Sequence, residues 1–170
     1  MKKMITAAAF AAAFVSTASA DMVEGPIVAQ QDSSFTVRLV SSEAGWTGWL
    51  SWISNTESEA VTLLSNKGPK DAAPIAVGTV EAGESLIFQY EITKGTKNTF
   101  RQDDEAGARQ FRHEWLDGST ARLFVEDIEL PGGDRDYNDA VFDVAFTPVP
   151  TPGTMAMGLA SAGLLVKRRR

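Results

Sequence analysis

Hydrophobic and polar residues alternate over most of residues 21–147. Phe35, Val37 and Leu39 alternate with Thr36 and Arg38, and Phe88, Tyr90 and Ile92 with Gln89 and Glu91. Leu123 and Val125 flank Phe124, and Ala140, Phe142, Val144 and Phe146 are interleaved with Val141, Asp143 and Ala145. A period of two places successive side chains on opposite faces, so each stretch reads as a strand with one buried face. Further strands are expected at 46–53, 60–64, 75–80, 99–102 and 111–116. Turn residues separate them: Ser54-Asn55-Thr56, Asn66-Lys67-Gly68-Pro69, Glu81-Ala82-Gly83-Glu84, Lys94-Gly95 and Asp117-Gly118. No helical period intervenes. Eight or nine short strands predict an all-β antiparallel sandwich, in jelly-roll-like or immunoglobulin-like order.

The pattern changes at both ends. Lys2 and Lys3 precede an apolar run from Ile5 to Val15, then Ala18-Ser19-Ala20. This is the layout of a secretory signal peptide over 1–20, with the mature chain starting at Asp21. The run is shorter than the roughly 20 residues of a spanning helix. Beyond the 21–147 domain, a Pro-rich linker covers 148–153, and 154–170 form an apolar and basic tail. Thirteen uncharged residues, 154–166, lead into Lys167-Arg168-Arg169-Arg170. So short a run favours a transient sorting signal over a permanent anchor, with the basic cluster kept in the cytoplasm.

Charge sharpens this picture. The whole chain carries −6, yet residues 21–147 hold ten basic and twenty-two acidic residues, a net −12. An acidic body excludes the usual nucleic-acid surface and direct adsorption to anionic lipid. There is no cysteine, so an exported domain must be held together without disulfides, and a bound metal is one way.

Seven acidic residues fall between Glu126 and Asp143, against one basic residue, Arg135. Crowded carboxylates require solvation or a cation. Asp134, Asp136 and Asn138 alternate like the first ligands of an EF-hand loop, but the glycine and the closing glutamate of that loop are missing, and Ala145 stands at the closing position. Two readings remain open: a Ca²⁺ site between two strands, or a polar hairpin turn. In the first, Asp134, Asp136, Asn138 and Asp139 supply ligands, and Glu126 or Asp127 closes the site from the preceding strand. Gly132 and Gly133 let the backbone approach the ion, and Arg135 points away or pairs with Asp143.

Trp46, Trp49 and Trp52, with Tyr137, are candidate sugar contacts. Alternation puts Trp46 and Trp52 on one face and Trp49 on the other, which favours packing in the core. His113, the only histidine, lies between Phe111 and Trp115 and reads as a sheet residue. An enzyme is not expected. A glycoside hydrolase needs two carboxylates across a cleft, and neither a nucleophile elbow nor a metalloprotease helix is present.

Two resemblances add to this. Pro150-Thr151-Pro152, the apolar run and the basic end resemble a PEP-CTERM sorting signal, with Thr151 where that family has Glu. This implies an exosortase-type sorting enzyme as partner and a Gram-negative exporter. Val125-Glu126-Asp127, Gly132-Gly133-Asp134-Arg135-Asp136-Tyr137-Asn138-Asp139 and Val141-Phe142 resemble the signature of a bacterial secreted family, domain of unknown function 4114. Phe100 and His113 correspond to its upstream aromatic strand and histidine. That resemblance implies a non-catalytic β-sandwich at the cell surface or in the extracellular matrix. In that compartment, exopolysaccharide or other surface proteins are the expected partners.

Overall fold

The computed structural model describes residues 22–54 and 59–150. The expected signal peptide, Asp21, residues 55–58 of one turn, and the linker and tail from Thr151 lie outside the described residues. Two five-stranded antiparallel sheets pack face to face. The first has the order β1 (Ile27–Val28), β6 (Ser85–Lys94), β3 (Thr47–Ile53) and β4 (Ala60–Ser65), with β7 (Asn98–Arg101) also paired to β6. The second runs β5 (Ile75–Val80), β2 (Ser33–Ser41), β10 (Ala140–Pro148), β9 (Thr120–Val125) and β8 (Phe111–Trp115). The antiparallel β-sandwich is therefore as expected. Among the described residues, ten strands form, one more than the alternation marks. The extra one is β1, whose two residues pair with Leu86 and Ser85 and are too few to show a period. A four-residue helix, α1 (Glu105–Ala108), links β7 to β8 and is likewise too short to announce itself.

Alternation becomes the core directly. Phe35, Val37 and Leu39 face Leu86, Phe88, Tyr90 and Ile92 across the sandwich, and Ala121, Leu123 and Val125 complete the floor. Fully burying one such side chain stabilises by about 1.5–3 kcal/mol. Phe35 meets Trp52 edge-on at 5.2 Å, and Trp115 lies 5.5 Å from Phe146. Gly48, opposite Ile92, leaves room for Tyr90; any Cβ there would collide with the Tyr90 ring.

β10 is the central strand of its sheet and is buried on both faces. Its inward residues Ala140, Phe142 and Val144 join the core. On its outer face Asp143 lies opposite Arg38 on β2 and Arg122 on β9. Arg38 Nη2 donates to Oδ2 at 2.7 Å and Arg122 Nε to Oδ1 at 2.9 Å. Burial alone would raise the Asp143 carboxyl, but the hydrogen bonds from Arg122 and Arg38 outweigh it and hold it below its ordinary value. Of the two courses expected for Arg135, pairing with Asp143 is excluded: residues directly opposite Asp143 on neighbouring strands take it first. Pro148 pairs with Ser33, so β10 runs one residue past 147, and Val149 N donates to Asp32 O at 2.9 Å just beyond the end of the strand.

Candidate metal centre

β9 and β10 are paired up to Val125↔Ala140. The chain between, 126–139, must therefore leave and re-enter the sheet at adjacent points, and this brings Glu126 and Asp127 beside Asp139. Asp127 N donates to Asp139 Oδ2 at 2.7 Å. Glu126 is 0% exposed and Asp127 3%.

The loop is then folded back over Glu126. Arg135 N donates to Glu126 Oε2 at 3.1 Å. Arg135 and Tyr137 both adopt positive φ, 64° and 53°. Non-glycine residues in that region cost on the order of 1–3 kcal/mol and concentrate at functional sites. With every second residue so wound, Asp134 and Asp136 turn toward Glu126. Asp136 Oδ1 accepts from Asn138 N at 3.2 Å, and Asn138 Nδ2 donates to Asp136 Oδ2 at 2.6 Å. Gly133 is required by close approach: a Cβ there would lie 2.5 Å from Glu126 Oε1. Tyr137 is buried, its hydroxyl donates to Arg109 O at 3.0 Å, and Arg112 lies 4.6 Å over its ring.

Two supports and one buried neighbour were not legible in the sequence. Gln110, fully buried, donates through Nε2 to Glu126 O at 3.0 Å and Ile128 O at 2.8 Å, and its Oε1 accepts from Leu130 N at 3.0 Å. It pins the first third of the loop. Glu43 N donates to Asn138 O at 3.1 Å, and Ala44 N to Asp139 O at 3.4 Å, which fastens the other end to the β2–β3 connection. The buried Tyr90 phenol, on the opposite sheet, has no hydrogen-bond partner and feels the Asp127 and Asp139 charges. Burial first, then those two charges, pushes its ionisation up.

The carboxylates form two groups whose ligand atoms lie within 4.8 Å of one another: Glu126 with Asp134 and Asp136, and Glu126 with Asp127 and Asp139. Among the described residues these are the groups of acidic side chains that could hold a metal ion. Glu126 Oε1 and Asp127 Oδ2 are buried and have no hydrogen-bond partner. Burial, then the Asp139 and Asp134 charges, push the Glu126 carboxyl up to about 7. Burial and then Asp139 push Asp127 up to about 6, against a smaller opposing field from Lys67. Orphaned buried carboxylate oxygens in a cluster of like charge are what a cation would satisfy. The donor set is all oxygen.

The predicted ligands thus come together. Glu126, Asp127, Asp134, Asp136 and Asp139 share the two groups, while Asn138 braces Asp136. The candidate sugar contacts do not converge. Trp46 and Trp52 pack against the core half-buried, Trp49 stands on the outer face 40% exposed, and Tyr137 is buried in the acidic loop. His113 is a sheet residue, its Nδ1 3.1 Å from Gly25 O, and burial lowers its pKa. Comparison with models of known protein families and with curated proteins finds no match to this chain.

Proposed function

We propose that this is an exported, non-catalytic β-sandwich module whose β9–β10 connection is closed by Ca²⁺. One observation carries the reading: Glu126 Oε1 and Asp127 Oδ2 are buried, without a partner, inside a group of carboxylates. Hard oxygen donors without His or Cys suit Ca²⁺ or Mg²⁺ rather than a softer metal. An irregular loop that mixes carboxylates with nearby backbone carbonyls suits the larger, less demanding ion. Bound Ca²⁺ would cancel the carboxylate repulsion and tie the last two strands together, so its binding energy would add to folding stability. The signal-peptide pattern and the basic tail support export and exosortase-type sorting to the cell surface or matrix. The Glu126–Asp139 motif supports kinship with the secreted family it resembles.

Thermal melts of the chain in EDTA, in millimolar Ca²⁺ and in millimolar Mg²⁺ test the reading. A marked rise with Ca²⁺, abolished in an Asp134→Ala/Asp136→Ala variant, is expected. Superimposable melts in EDTA and Ca²⁺ would overturn it. Binding of matrix glycan is the second reading, and the exposed Trp49 ring on the outer face of β3 favours it. Titration with the cell's own exopolysaccharide, comparing the chain with Trp49→Ala, separates the two.

A further inference from the structure

We propose that the acidic connection holds two cations, bridged by the Glu126 carboxylate: an inner ion on Glu126, Asp127 and Asp139, and an outer ion on Glu126, Asp134 and Asp136. This inference rests on the calcium reading above and adds the number of ions and their order of binding.

The two groups share Glu126 alone. They differ in where the fold puts them. Asp127 and Asp139 sit at the sheet end, joined by the 2.7 Å bond from Asp127 N to Asp139 Oδ2. Asp134 and Asp136 sit in the exposed bend of the loop, with Asp136 N 3.4 Å from Asp134 Oδ1. An ion in the outer group alone leaves Asp127 Oδ2 buried and unpartnered beside the Asp139 carboxylate. That arrangement is costly, since a buried charge needs a counter-charge or hydrogen bonds. An ion in the inner group alone leaves Asp134 and Asp136 facing Glu126 with no cation between them, in a bend wound through two non-glycine residues of positive φ.

Glu126 is built to serve both. Its Oε2 is held on the loop side by Arg135 N at 3.1 Å, and Oε1 is free, buried and packed against Gly133. A carboxylate with two differently placed oxygens can ligate two ions at once. The charge balance agrees. Glu126, Asp127, Asp134, Asp136 and Asp139 carry five negative charges; one divalent ion leaves three and a second leaves one. The inner ligands are the more buried, so the inner ion binds first and tighter, because a desolvated charge gains more from its counter-ion. The outer ligands are solvated and bind second.

The test is a count of ions. The full chain is stripped with EDTA, titrated with Ca²⁺ by calorimetry, and weighed by native mass spectrometry. Two ions with separable affinities are expected. The Asp134→Asn/Asp136→Asn variant changes only exposed side chains; it should keep its far-UV spectrum, lose the weaker ion and retain the tighter. Asp127→Asn should lose the tighter one. A single ion on the unaltered chain overturns this inference and leaves the calcium reading standing. No ion on the unaltered chain overturns both. Two ions retained by the Asp134/Asp136 variant overturn the assignment of the outer site.

Discussion

Asp143 and the Glu126–Asp127 pair belong to the same β9–β10 hairpin, and all three are buried, yet they are treated in opposite ways. Asp143 receives two guanidinium groups from directly opposite strand positions, and its carboxyl is held below its ordinary value. Glu126 and Asp127 receive backbone N–H groups and no paired guanidinium, and burial, then the Asp139 charge, pushes them up to about 7 and about 6. Depth does not separate the two regions; supplied counter-charge does. Among the described residues, the buried carboxylate inside the sheet is paired with guanidinium groups, and the buried carboxylates without such a pair lie at one end of the hairpin. A buried carboxylate that is starved of partners beside one that is fully satisfied is the difference between a group that could hold a cation and a finished structural pair.

The largest break in this comparison is Glu126→Gln. The substitution keeps the shape and removes the shared charge, so the calcium-dependent rise in melting temperature should vanish. At a hundredfold excess over the dissociation constant that rise corresponds to about 2.7 kcal/mol. Melts with and without Ca²⁺ should superimpose for the variant. A calcium shift as large as that of the unaltered chain would show that Glu126 is not a ligand.

Asp143→Ala comes next, and should behave in the opposite manner. It strands Arg122 and Arg38, whose side chains are 29% and 51% exposed, so solvent recovers part of the loss. About 1–2 kcal/mol is expected, less than the roughly 3–5 kcal/mol for breaking a fully buried pair. The loss should be the same in EDTA and in Ca²⁺, as read by urea melts. A loss that Ca²⁺ repairs would join the two regions into one site.

How much of this contrast can be read in the chain follows the same line. Strands β2, β6, β9 and β10 are visible because alternation is local and each has one face in the core. The acidic ligands are visible for the same reason: they lie within fourteen consecutive residues. What surrounds them is not. Gln110 and Tyr90 reach the loop only because β8 and β6 are placed by the sandwich, and neither has a neighbour in sequence that betrays the role. The Arg135–Asp143 pairing fails on register: it takes the strand order β2-β10-β9 to put Arg38 and Arg122 opposite Asp143. The three tryptophans, so close in sequence, are divided by the pleat that their own spacing encodes.

pH separates the two regions by sign. Glu126 and Asp127 have ordinary values of 4.5 and 3.8 and folded values of about 7 and about 6. The folded, metal-free state therefore holds more protons than the unfolded one. That stability is fully present below about pH 4 and is lost as pH rises to about 7. Asp143, with its lowered value, contributes above its ordinary 3.8 and loses that contribution as pH falls through its lower folded value. In EDTA the melting temperature should fall between pH 5 and pH 8. Ca²⁺ competes with the same protons, so its stabilisation should grow over that interval. A calcium shift of equal size at pH 5 and pH 8 would mean that the ion avoids Glu126 and Asp127.

The smallest and most local change is Gly133→Ala. It adds one methyl group, 2.5 Å from Glu126 Oε1 and 2.9 Å from Ile128 O. Two outcomes are physically open to such a contact: the loop moves, or the carboxylate does. Gln110 fixes the loop backbone at Ile128 O and Leu130 N, whereas the carboxylate is held by one bond, from Arg135 N to Oε2, and is the freer partner. It should swing from its seat, and Ca²⁺ affinity should weaken about tenfold, equivalent to about 1.4 kcal/mol. Metal-free stability should fall by less, because the oxygen the methyl group meets, Oε1, is one the fold already leaves unsatisfied. Asp143 lies on the far face of β10 and should keep its low pKa, measurable by carboxyl ¹³C chemical shift. A variant that loses metal-free stability and keeps its calcium affinity would place the strain in the loop backbone instead, and would remove Glu126 Oε1 from the list of ligands.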